Sequence, residues 1–147
     1  MVIYLQLIER GAHMENFSAK NAFIDIRNFL AGRFLGATRD EFFLEEIVKL
    51  VFCKYELANR NTEELNEIEL SSLYRKVFRS VLDNYPDIYG SQDQEIQLDP
   101  ISIKYIDSRL NLLDISNLNR DIIGDAYEIF IGDSIKGQSG QFFTPQN

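Results

Sequence analysis

The chain has 147 residues, 45% of them hydrophobic, with 15 Lys and Arg against 23 Asp and Glu, a net charge of −8 and a pI near 4.6. That is enough apolar mass for one ordinary domain, and the acidic balance argues against strong non-specific binding to a phosphate backbone, which clustered cations drive. A single histidine and a single cysteine exclude a His/Cys metal site, a His-based triad and an internal disulfide.

The first segment, Met1 to His13, ends in Gly11-Ala12-His13 and resembles the scar of an expression tag before a natural start at Met14. It is set aside from functional reasoning, His13 with it. From Ser18 to Leu35, Phe23, Ile26, Phe29 and Leu30 recur at three- and four-residue spacing with Ile24 beside them, which predicts a helix burying one face, weakened by Gly32 and ended by Gly36. Thr38 and Glu41 are spaced as a capping box for a second helix, Arg39 to about Asn59. Its run Phe42, Phe43, Leu44, Ile47, Val48, Leu50, Val51, Phe52 is apolar around much of the circumference, so this helix is expected at the centre, with Glu45, Glu46, Lys49, Lys54 and Glu56 marking its wet side. Cys53 lies within that run and reads as a buried structural thiol, consistent with a cytoplasmic location.

Asn59 to Glu69 is polar and acidic and reads as a loop. A third helix follows from near Glu69, with Leu70, Leu73, Val77, Phe78, Val81 and Leu82 on its inner side, and Pro86 stops it. Tyr85 to Leu98 has the composition of an exposed loop. Asp99-Pro100 then supplies an N-cap and a first-turn proline for a fourth helix burying Ile103, Ile106 and Leu110. Leu112 to Leu118 breaks the pattern. A fifth helix begins near Asn119 and runs to about Ser134, placing Ile122, Ile123, Ala126, Tyr127, Phe130 and Ile131 mostly inward. No apolar run reaches the roughly 18 residues of a membrane span. The fold class expected is all-α, a bundle of about five helices at residues 14–135 with an extended C-terminal tail at 136–147.

The tail carries the chemistry. Gly137 and Gly140 make a Gly-rich turn, and glycines let a backbone approach a ligand closely. After it come Phe142, Phe143, Thr144 and Pro145. Together with Ile123-Gly124-Asp125-Ala126-Tyr127-Glu128 upstream, Gly140-Gln141-Phe142-Phe143-Thr144-Pro145 resembles the opening of the catalytic domain of N-6 adenine DNA methyltransferases, of which the modification subunit of type I restriction systems is a member. The middle of the chain, at Phe23 to Gly32 and Glu46 to Glu56, resembles the family's N-terminal helical region more loosely.

The resemblance implies that Gly140, Gln141, Phe142, Phe143, Thr144 and Pro145 help bind S-adenosylmethionine. Thr144 would offer a hydroxyl to the donor's carboxylate or amine, Phe142 and Phe143 would wall the pocket, and Pro145 would stiffen the turn. It further implies that the parent methylates adenine N6 in duplex DNA within a restriction-modification complex. The partners implied are DNA, a specificity subunit, and a restriction subunit or second methylase subunit. Gln146 stands where the family often has a basic residue. The sequence also contains neither the family's Gly-rich donor turn nor its Asn/Asp-Pro-Pro-aromatic segment, so no catalytic residue is assigned and the fragment is expected to be inert by itself.

On residue chemistry alone, Arg27, Arg33, Lys49 and Lys54 could contact phosphate if they shared a face, and Tyr127 with Glu128 reads as packing or capping. The alternative function is a stand-alone helical protein-interaction module unrelated to methyl transfer. A small complete enzyme ranks last, for want of a nucleophile-base pair.

Overall fold

In the computed structural model, residues 18–34, 40–57, 60–87, 94–115 and 120–143 are described, the last stretch with side chains from 121 to 132. Among them are five helices and no strand: α1 Ala19–Arg33, α2 Asp40–Glu56, α3 Glu67–Asn84, α4 Pro100–Leu110 and α5 Arg120–Phe143. The all-α expectation holds. The tag-like residues, Thr38 of the anticipated capping box, Gly36, Thr144 and Pro145 lie outside the described residues.

Local chemistry starts three of the helices. Ser18 caps α1 by accepting the Asn21 amide, and Asp99 caps α4 by accepting the Ser102 amide. Asn66 and Glu69 form a full capping box on α3, each side chain accepting the other's backbone N–H. This box starts α3 at Glu67, two residues before the periodicity alone predicts. Such a box satisfies two amides that would otherwise be unpaired, and losing the cap costs about 1 kcal/mol.

Helix α2 is central, packing against α3, α4 and α5, while α1 packs on α4 and α5. The core is continuous through Phe23, Ile26, Leu30, Ile47, Leu50, Val51, Leu70, Phe78, Ile103, Ile106, Leu110 and Phe130. Phe29 of α1 stacks flat on Tyr105 of α4, with ring centroids 3.9 Å apart. Cys53 is buried against α3, its thiol 3.7 Å from the Tyr74 carbonyl, as expected of a structural thiol.

Several surface assignments need correction. Tyr127 is 49% exposed rather than inward, because α5 turns Ala126 and Phe130 to the core and carries Tyr127 round the helix. Ile96 and Leu98 are buried, so the end of the α3–α4 connection is not an exposed loop. The largest correction concerns α2, where Glu46, Lys49 and Lys54 are only 1%, 5% and 6% exposed. The helical backbone of α5 also continues through the Gly-rich stretch to Phe143 instead of turning near Ser134. Glycine disfavours a helix by about 1 kcal/mol but does not forbid it, whereas a proline disfavours helix at the residue before it. The described helix reaches Phe143.

Candidate functional site

The segment anticipated to bind the methyl donor divides in two. Gly140, Gln141, Phe142 and Phe143 lie on the helical backbone of α5, while Thr144 and Pro145 fall outside the described residues. Ile123 to Glu128 sits upstream on the same helix, so at 1.5 Å per residue Tyr127 and Gln141 stand roughly 21 Å apart along its axis. The two blocks therefore do not converge on one spot in this conformation. Within the first block Ala126 is buried and Ile123 half-buried, and Glu128 pairs with Lys20 of α1 at 2.8 Å across an exposed seam. That pairing raises the Lys20 pKa. A Cβ added at Gly124 would meet nothing within 4 Å.

The interior polar residues form two clusters that periodicity could not reveal. In the first, the Lys54 ammonium donates to Asp107 Oδ1 at 2.9 Å and to Thr62 Oγ1 at 3.1 Å. Thr62 donates to Asp107 Oδ2 at 2.7 Å, and the Tyr74 hydroxyl donates to Asp107 Oδ1 at 2.6 Å. Asn111 adds a donor to Asp107 Oδ2 at 3.2 Å. One carboxylate thus ties together α2, α3, α4 and the α2–α3 loop. Burial, and then the Asp107 charge beside it, push the Tyr74 phenol well above its ordinary pKa. Burial likewise pushes the Cys53 thiol up, and Glu56 adds to that.

The second cluster holds the main chain of residues 95–98. Lys49 donates to Glu46 Oε2 at 2.7 Å and to the Glu95 carbonyl at 2.8 Å, while Glu46 Oε1 accepts the amides of Gln97 and Leu98. From α3, Arg75 donates to the carbonyls of Ile96 and Leu98 and to Ser71 Oγ. Ile96 and Leu98 are thereby pinned into the core, and the segment passes directly into the Asp99 cap of α4. Burial raises the Asp99 carboxyl, but the Ser102 hydroxyl and amide and the Arg33 guanidinium, 2.9 Å away, outweigh it and hold its pKa low.

These contacts answer the phosphate question for the four cations named from sequence. Lys49 and Lys54 are buried in ion pairs, Arg27 pairs with Asp40 at 3.3 Å, and Arg33 pairs with Asp99. They do not share an open face. Sequence reasoning overlooked a different set. From Leu70 to Leu82 the chain has no acidic residue and three cations, Arg75, Lys76 and Arg79, all on exposed positions of α3. This run is not distinctive by length, since Ile26 to Arg39 is a longer acid-free run with Arg27, Arg33 and Arg39, but reading charge along the helix finds it.

Beside this run, Arg75, Phe78, Arg79, Leu82, Asp83, Gln94, Glu95 and Ile96 line a cleft of about 650 Å³. Its lining is more polar than apolar and sets two guanidinium groups against two carboxylates, so its charge nearly cancels. Among the described residues no group of three or more His, Cys, Asp or Glu could hold a metal ion, and no helix is long and apolar enough to cross a membrane. No protein-family model, curated protein or solved structure matches the chain.

Proposed function

We propose that the chain is the N-terminal helical domain of an S-adenosylmethionine-dependent, site-specific DNA adenine-N6 methyltransferase of a restriction-modification system. The observation that carries this reading is the pair of blocks, Ile123 to Glu128 and Gly140 to Pro145, in the family's order and at its spacing. An all-helical body ahead of them is the architecture the reading calls for. In this reading Thr144 hydrogen-bonds the donor's methionine portion, and Phe142 and Phe143 wall it in. Their partners on the opposite wall are the Gly-rich donor turn and the Asn/Asp-Pro-Pro-aromatic segment that holds a flipped adenine, and neither occurs in the 147 residues. The fragment is therefore non-catalytic, and its work is to help clamp DNA and to contact the specificity, restriction or second methylase subunits.

The helical conformation of Gly140 to Phe143 bears on how such a pocket would form. Main-chain amides inside a helix already donate to the carbonyl four residues back, so they are not free for a ligand. Gly137 and Gly140 each make that last stretch about 1 kcal/mol less helical than alanine would, so unwinding it around a donor has a small cost.

Reading the coding frame downstream of Asn147 tests the proposal. The expected result is a Gly-rich strand-to-helix turn followed by an Asn/Asp-Pro-Pro-aromatic segment. A stop codon directly after Asn147 overturns it and favours a stand-alone helical interaction module.

A further inference from the structure

The two interior charge clusters differ in what must move to break them. Asp107 gathers groups from α2, α3, α4 and the α2–α3 loop, so parting that cluster parts helices. Glu46, Lys49 and Arg75 instead hold residues that belong to no helix. Lys49 donates to the Glu95 carbonyl and Arg75 to those of Ile96 and Leu98, while Glu46 accepts the amides of Gln97 and Leu98. Among the described residues no backbone–backbone hydrogen bond reaches residues 95–98. Their apolar grip on the core is Ile96 and Leu98, 2% and 1% exposed, whereas Glu95 and Gln97 are exposed. A segment without ladder bonds and with so little buried apolar surface belongs to the part of a fold that opens at less than the global unfolding free energy.

We propose that residues 95–98 are a strap latched across α2 and α3 by Glu46, Lys49 and Arg75, and that the strap opens as a unit while the helices stay folded. Each latch group keeps a partner when the strap leaves. Lys49 retains Glu46 at 2.7 Å, Arg75 retains Ser71 Oγ at 3.2 Å, and the main-chain groups released meet water. Opening therefore strands no buried charge, which is what makes breaking the Asp107 cluster costly. One flank is already open, because the cleft lined by Phe78, Leu82 and Ile96 runs beside the strap. Withdrawing Ile96 enlarges that cleft toward Glu46 and Lys49. The C-terminal end of the strap is anchored, since Asp99 caps α4 and pairs with Arg33 of α1.

The test is native-state amide hydrogen exchange of the full chain, followed by NMR in wild type, Tyr74→Phe and Arg75→Met. In wild type the Gln97 and Leu98 amides should exchange at least about tenfold faster than Leu50 and Val51 in the middle of α2, and low urea should hardly change their rates, because a local opening exposes little surface. Tyr74→Phe weakens the Asp107 cluster, which stays intact when the strap opens. It should speed Leu50 and Val51 by about tenfold or more and leave Gln97 and Leu98 within about twofold of wild type. Arg75→Met keeps the stem of an exposed side chain and removes the donors to the Ile96 and Leu98 carbonyls, so Gln97 and Leu98 should exchange at least about tenfold faster. Strap and α2 amides that exchange at one common rate in wild type, or that accelerate together in Tyr74→Phe, would show that the strap opens only with the whole fold and overturn the proposal. Unchanged Gln97 and Leu98 rates in Arg75→Met would overturn the latch.

Discussion

Lys49 and Lys54 on α2 and Lys76 and Arg79 on α3 are cationic pairs on neighbouring helices, yet they end in opposite places. The α2 pair is buried, each ammonium within 2.9 Å of a carboxylate, and the α3 pair is exposed without a partner among the described residues. The difference lies in what faces them. Lys54 meets Asp107, Thr62 and the crowded junction of three helices, and Lys49 meets Glu46 and the main chain of Glu95, whereas Lys76 and Arg79 meet solvent. A buried cation is tolerable only when paired and fully hydrogen-bonded. Lys49 and Lys54 of α2 are consequently structural, whereas Lys76 and Arg79 of α3 are solvated.

The largest effect expected from breaking this contrast comes at Asp107. Asp107→Ala leaves Lys54 buried without its counter-ion and removes the acceptor of the Tyr74 and Thr62 hydroxyls, and it should lower stability by about 3–5 kcal/mol in urea unfolding. Tyr74→Phe removes one hydrogen bond to that carboxylate and should lower stability by roughly 1.5–3 kcal/mol at neutral pH.

The same substitution sharpens the comparison through pH. Because the folded-state pKa of Tyr74 is raised, its contribution is fully present below the ordinary tyrosine value of 10.0 and is lost as pH rises above it, when the unfolded chain releases a proton that the fold retains. Cys53 behaves alike above its ordinary value of 9.0. Wild type should thus lose stability from about pH 9 upward, and Tyr74→Phe should lose it less steeply above pH 10. An identical alkaline slope in the variant would remove Tyr74 from the account.

Much of the fold was legible because it depends on neighbours in sequence. The apolar faces of α1 and α4, the Asp99-Pro100 start and the central place of α2 follow from spacing and caps within a few residues of each other. The Asn66 and Glu69 box was equally local, but it sits in an acidic stretch that reads as loop. The buried charges were not legible, since their partners are distant: Lys54 meets Asp107 across 53 residues and Glu46 meets Leu98 across 52. A helical wheel assigns any Lys or Glu to water, and only the tertiary fold shows which one has found a counter-charge. The candidate donor segment was legible as a motif alone, and the helix that carries Gly140 to Phe143 shows why residue types do not fix a pocket. Lys76 and Arg79, by contrast, lie where a helical wheel puts them, in water.

The contrast between the two helices is tested most directly by equilibrium urea unfolding of Lys54→Gln beside Lys76→Gln/Arg79→Gln. Lys54→Gln leaves Asp107 buried without its cation and should lower stability by at least about 3 kcal/mol, while the α3 pair should stay within about 0.5 kcal/mol of wild type. Equal losses in the two proteins, or a stable Lys54→Gln, would contradict the division between the structural pair on α2 and the solvated pair on α3.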